Sequence, residues 1–281
     1  MLDNVPNGSL PLIATRCVRI VSGSGESTVL KMINIRRNQN FPPNAVIPNL
    51  DMSDGSTEAF APVMKNLIIN NLNGDLALTQ LGYITANGGL VPLGSNFNSS
   101  GVTTRTFGTI PGDKQDPTDY YFLSAVTQTP FFTPTDTRFA ALVFHAAADQ
   151  TITLGPAVNA LAPSILSASS TAPIRFRVAI TTQPEYSTYF STTFQQAGAN
   201  PRFVELRVSA GWAGASASSV NLDIPDLSAA GYPAIWGLQP GVLTNYTTTA
   251  AGWSGTGGLT STPYVEGASI RFASKFGSTT P

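Results

Sequence analysis

Residues 174–180 read Ile174-Arg175-Phe176-Arg177-Val178-Ala179-Ile180. In an extended chain, successive side chains point to opposite faces. Ile174, Phe176, Val178 and Ile180 therefore share one face, and Arg175 and Arg177 share the other. A helix, at about 3.6 residues per turn, would mix the two sets. Strict alternation of this kind marks a strand with one side in a core and one in water, as antiparallel sheets produce.

The same reading extends in both directions. Along 202–208, Val204, Leu206 and Val208 lie on one face and Phe203, Glu205 and Arg207 on the other. In 269–274, Ile270, Phe272 and Ser274 fall together. Strand patterns recur at 15–21, 27–35, 63–70, 76–85, 103–109, 120–127, 138–145, 150–154, 173–182, 186–194, 202–210, 219–224 and 268–276. Ser22-Gly23-Ser24-Gly25-Glu26-Ser27 reads as a hairpin turn. Helical signal is poor: the best window, 149–169, is interrupted by Gly155, Pro156 and Pro163, which leaves one short helix over 158–166. Long loops are expected at 37–62, 211–219 and 225–263, and loops of that length in a compact domain are usually functional or interface-forming.

Composition agrees. Of 281 residues, 15 are Lys or Arg and 16 Asp or Glu, so 11% are charged and the net charge is -1. A typical domain carries about 25%. Mean hydropathy is only +0.07, so the missing charge is replaced by 32 Thr, 26 Ser and 18 Asn beside 25 Gly and 21 Pro. This excludes coiled coils and helical bundles, and aromatics at 9% with near-zero net charge argue against disorder. No apolar run approaches the roughly 18 residues of a membrane helix. The fold class expected is all-β: an antiparallel β-sandwich of jelly-roll type with about eight core strands, long loops and at most one or two short helices. With no repeat or composition break, one domain is expected over 15–276, preceded by an extended arm at 1–14 and followed by a tail at 277–281.

The single Cys17 excludes an intramolecular disulfide. The start, Met1-Leu2-Asp3-Asn4-Val5-Pro6, lacks a basic stretch followed by an apolar one, so no signal peptide is expected. Sequons at Asn7, Asn98 and Asn245 are what a chain so rich in Asn, Ser and Thr holds by chance. Lys31, Arg36 and Arg37 form the densest basic stretch, too sparse for nucleic-acid binding and read as a solvated strand end.

Reactive groups are few. His145 is the one imidazole and ends an apolar run, where it caps a strand or is satisfied in the core. There is no G-x-S-x-G elbow, no phosphate-binding glycine loop and no zinc ligand set. Catalytic, cofactor-binding and metal residues are therefore assigned to none, no cofactor is expected, and the protein is not expected to be an enzyme. Three features stay open. Asp113, Asp116 and Asp119 are spaced by three in a turn-rich loop that could offer oxygens to calcium, or could be turn chemistry alone. Asp51, Asp54 and Glu58 repeat that signal more weakly, and scattered carboxylates leave a glycosidase reading alive. Trp212, Trp236 and Trp253 lie in the Gly-rich last third, where burial in core or interface is the commoner fate and a sugar-stacking platform the alternative.

Low charge, Thr/Ser/Ala/Pro-rich loops, many short strands and the late run Ser269-Ile270-Arg271-Phe272-Ala273-Ser274-Lys275-Phe276 resemble the coat proteins of small non-enveloped icosahedral viruses, of the picorna-like group. The resemblance covers most of the chain without a signature motif. It implies a capsid subunit of the virion, assembled in the host cytoplasm, whose partners are copies of itself and other coat proteins. A host receptor or glycan is a further partner, and no membrane anchor is implied. Many such proteins carry an Arg/Lys-rich arm against the genome; this chain does not, so contact with the genome is expected to be weak. Independently, interface cores are depleted in charge, and uncharged polar side chains avoid the desolvation cost of buried ions. The alternative is a carbohydrate- or receptor-binding sandwich, lectin-like or a phage decoration or tail protein.

Overall fold

A computed structural model describes residues 8–23, 25–42, 49–86, 89–98, 101–130, 133–169, 172–214, 217–254 and 266–281. By its contacts the chain divides into two compact units, where one body was expected over 15–276. Unit 1 takes 1–125, 141–153 and 255–268, and unit 2 takes 126–140, 154–254 and 269–281. The hydrophobic cluster of unit 2 is built from its own residues.

The strands of unit 1 are β1 (Gly8–Ser22), β2 (Gly25–Phe41), β3 (Val63–Asn70), β4 (Leu76–Ile84), β5 (Leu90–Asn98), β6 (Thr104–Thr109) and the first part of β7 (Tyr120–Thr129). The second part of β8 (Asp136–Phe144) and β9 (Gln150–Thr153) complete them. One sheet begins a ten-stranded order with β1-β2-β5-β4-β7-β8, and the other runs β6-β3-β9. β3 is antiparallel to β6 and parallel to β9. Ser22 pairs with Gly25, so the expected hairpin turn is present, with Ser24 outside the described residues. Residues 8–14, expected in an arm, are instead strand β1 laid along β2; residues 1–7, with the sequon at Asn7, lie outside the described residues. The β3–β4 turn puts Asn71 and Asn73 in the left-handed region at φ 59 and 57, which Asn tolerates better than most residues. The core gathers Leu30, Ile33, Leu67, Leu93, Tyr83 and Tyr121, with Tyr121 stacked on Phe144 at 5.0 Å.

Unit 2 contains β10 (Ser164–Ser169), β11 (Ala172–Thr181), β12 (Tyr189–Gln196), β13 (Arg202–Ser209), the single turn α1 (Ala210–Ala213), β14 (Ser219–Asp223), β15 (Thr244–Ser254) and β16 (Ser269–Thr279). One sheet runs β10-β11-β14 and the other β7-β8-β16-β15-β12-β13, with the later part of β7 and the first part of β8; the pairs among β10 to β16 are antiparallel. The chain crosses from one sheet to the other between β11 and β12, β13 and β14, and β14 and β15. The inward residues Ile174, Phe176, Val178 and Ile180 are all buried, as their alternation required. Across the core Phe176 stacks on Phe194, with centroids 5.0 Å apart.

The antiparallel β-sandwich expected from the sequence is therefore what the chain forms. Three local expectations need correction. Residues 158–166 hold no helix: Pro163 ends the run and β10 begins at Ser164, pairing with β11. Within the loop expected over 225–263 lies β15, a central strand between β12 and β16. The tail expected at 277–281 begins inside β16, whose Thr279 pairs with Thr244.

Candidate functional site

Unit 2 presents a groove of about 330 Å³, lined mainly by Pro173, Ile174, Phe203, Leu206, Leu227 and Tyr232. That is at the small end of ligand sites. One wall is β13, which ends its sheet and pairs with β12 alone among the described strands. The opposite wall is the chain after β14, carrying two 3-10 turns, 228–230 and 234–236.

Hydrogen bonds hold that wall in place. Arg175, on the outer face of β11, donates from Nε to the Ile224 carbonyl at 2.9 Å, and its Nη1 lies 3.6 Å from Asp226. Asp226 also accepts from the Ser228 backbone N–H at 3.0 Å and hydroxyl at 2.6 Å, which holds its carboxyl below the usual range. Buried Gln196 donates to the Gln239 carbonyl and accepts from its N–H, each at 2.9 Å. Gln239 in turn donates to the carbonyls of Ala234 and Gly237, and Arg202 donates to the carbonyl of Ile235 at 2.7 Å. Gly237 passes so close to Pro173 that a Cβ there would meet the proline ring at 2.4 Å. The loop is thereby fixed with its apolar side chains outward. Phe203, Ile235 and Trp236 are 65%, 66% and 63% exposed, and Tyr232 meets Trp236 edge to face at 5.7 Å. The ionic groups at the mouth, Arg175 with Asp226 and Arg207 with Glu205, pair with each other. Such a site can seat apolar surface, with Glu205 and Asp226 as the carboxylates in its lining.

Of the fates open to the Trp residues, core, interface or ligand platform, the core is not where they lie. Trp212 on α1 is 74% exposed, Trp236 lies on the turn that leads to Gly237, and Trp253 on β15 is 39% exposed, edge-on to Tyr189.

The three loop aspartates do not gather as one ligand set, although Asp116 and Asp119 both face the Arg37 guanidinium, at 3.8 and 2.8 Å. Asp113 is exposed beside Lys114 at 3.3 Å. Asp116 caps its own turn, accepting from the Thr118 N–H at 3.0 Å and hydroxyl at 2.6 Å, which holds its carboxyl low. Asp119 is buried, accepting from Tyr83 Oη at 2.7 Å and Ala86 N at 3.0 Å, with Arg37 Nη2 2.8 Å away. Burial and that carboxylate push the Tyr83 hydroxyl well above the usual phenol value. Of the second acidic set, Asp54 pairs with Arg16, Glu58 with Arg36, and Asp51 accepts from Ser53 N. Among the described residues no group of three or more His, Cys, Asp or Glu could hold a metal ion. His145 follows β8, its Nδ1 2.7 Å from the Asp119 carbonyl and 3.1 Å from Gln115 Nε2; its backbone N–H donates to Glu266 at 2.6 Å. Arg36 and Arg37 of the basic stretch are both ion-paired.

Sequence reading missed the groove itself. The available signal was Phe203, an aromatic on the charged face of an alternating strand.

No protein-family model matches the chain, and no curated protein matches it. Among solved structures it is similar to a two-domain fibronectin type III segment of chicken tenascin, at 12% identity over 98% of this chain and 100% of that one, TM-score 0.23. A DUF3823 family protein from Parabacteroides merdae is similar at 9% identity over 66% of this chain and 90% of that one, TM-score 0.23. Superposition at that level carries no weight, and the fold rests on the chain's own strand pairing.

Proposed function

We propose that this protein is a non-enzymatic structural subunit that works by self-association, its most specific form being the coat-shell role that the sequence resembles. The observation that carries the reading is the apolar groove beside the free edge of β13, lined by exposed Phe203, Leu227 and Tyr232, with exposed Ile235 and Trp236 on the turn that leads to its Gly237. Contiguous exposed apolar surface on a protein of this size marks an interaction site. A chain with 11% charged residues and net charge -1 has little electrostatic repulsion to keep copies apart. Sedimentation of the full chain over rising concentration, with negative-stain microscopy of the product, tests the reading. Oligomers or regular particles are expected; a 29.5 kDa monomer at every concentration overturns it.

The exposed Tyr232–Trp236 pair favours a second reading, a carbohydrate- or receptor-binding sandwich, because flat aromatic faces stack on sugar rings. A glycan array checks it: binding lost in Trp236→Ala supports this reading, and an array without hits removes it.

A further inference from the structure

We propose that two copies of this chain pair through the free edges of β13, antiparallel, about a twofold axis at Leu206; this rests on the self-association reading and names its first contact. Among the described residues β13 has a strand neighbour on one side only. Its inward side chains Val204, Leu206 and Val208 pack against the unit 2 core, yet they remain only partly buried. In β12, one strand further in, Phe190 and Phe194 are fully covered. The inner face of β13 lacks the neighbour that would complete it, and its backbone carries an unpaired row of donors and acceptors, a template for a further strand.

The sequence of the strand selects both the occupant and the register. If a second β13 continues the sheet with both inner faces on the same side, the twofold axis is normal to the sheet. Residues directly opposite then point to the same face, so the axis must pass through a residue position. An axis at Glu205 sets Glu205 against Glu205 of the second copy, and one at Arg207 sets Arg207 against Arg207. An axis at Leu206 sets Leu206 against Leu206 and Val204 against Val208 on the inner face. On the outer face it sets Glu205 against Arg207, twice. Within one chain Arg207 already lies 2.7 Å from Glu205 and its guanidinium 5.0 Å from the Tyr189 ring, so the two charges stand together on the outer face. Pairing at Leu206 closes them into a ring of four alternating charges. Phe203 then faces Ser209, and β13 of the second copy runs along the mouth of the groove. Apolar side chains meet apolar ones and acid meets base at every central position, which the neighbouring registers do not achieve.

The test uses the full chain and two charge variants, Glu205→Arg and Arg207→Glu, followed by sedimentation equilibrium. Wild type is expected to dimerise. Each variant alone opposes like charges at two positions and is expected to weaken the dimer about tenfold or more. Mixed one to one, the variants restore both opposite-charge pairs and are expected to form a heterodimer near wild-type strength. Wild-type association with variants that associate equally well overturns the β13 pairing and leaves the self-association reading standing. A wild type that stays monomeric overturns both. A mixture that stays monomeric although each variant melts like wild type overturns the pairing. Should a variant fail to fold, hydrogen exchange on wild type decides. Amides of 203–207 must gain protection with concentration, and unchanged exchange there refutes the pairing.

Discussion

The Arg37 guanidinium lies 2.8 Å from the Asp119 carboxylate, and that carboxylate is only 1% exposed. Arg37 comes from β2 and Asp119 from the turn before β7, so the pair ties two distant stretches of unit 1 together. Tyr83 and the Ala86 N–H supply the remaining donors. Removing the Asp119 carboxylate leaves the buried Tyr83 hydroxyl and the Ala86 N–H without their acceptor, and an unsatisfied buried polar group typically costs about 1–3 kcal/mol. Asp119→Ala is therefore expected to lower the denaturant midpoint of unit 1 strongly. Asp113→Ala, at an exposed site, should stay within about 0.5 kcal/mol of wild type. Equal effects in the two variants would show that Asp119 is not a keystone.

The directly opposed pair Arg177 and Asp223 on β11 and β14 predicts a pH dependence. Arg177 donates from Nε at 2.8 Å and Nη2 at 2.6 Å to the two carboxylate oxygens, and this holds Asp223 below its ordinary value. A carboxyl whose folded value is depressed contributes stability above its unfolded value and loses it as pH falls through the folded one. The contribution is thus present at neutral pH and disappears below about pH 4. Asp223→Asn should remove that part of the acid limb of the unit 2 melt while leaving its neutral-to-alkaline limb parallel to wild type. An unchanged acid limb would refute the assignment.

The sandwich was legible because alternation is strict wherever one sheet face is apolar: 174–180 and 202–208 needed nothing beyond period two. β15 was not legible. Its run Thr244-Asn245-Tyr246-Thr247-Thr248-Thr249-Ala250-Ala251 has no large aliphatic residue, and its centrality comes from long-range pairing with β12 and β16. β10 was masked by apolar density around Pro163 that mimics a helix. The division into two units left no composition signal, since the chain passes between them within strands β7 and β8. The aspartate spacing gave a list of oxygens but no positions: Asp119 turns into the core while Asp113 faces water.

The stacked rings of Phe176 and Phe194 join the two sheets of unit 2. Both are fully buried. Truncating a buried Phe leaves a cavity that costs about 3–5 kcal/mol. Phe194→Ala should lower the unit 2 transition by that order in calorimetry, with Phe194→Leu losing markedly less. Equal losses would mean that the site collapses around the truncation.

The scarcity of charge reappears inside the sandwich as paired hydroxyls. Thr192 of β12 stands directly opposite Thr248 of β15, both buried, with Oγ1 atoms 3.1 Å apart. Cross-strand Thr pairs add to sheet stability, and an unpaired buried hydroxyl costs about 1–3 kcal/mol. Valine has nearly the shape of threonine but no hydroxyl. Thr248→Val alone should therefore destabilise unit 2 by that order, because Thr192 is left without its partner. Thr192→Val with Thr248→Val removes both groups together and should recover most of the loss. Chemical denaturation of the four proteins closes the cycle. Strict additivity of the two single changes would show that the hydroxyls are not coupled, and that Thr serves β15 only through its branched Cβ.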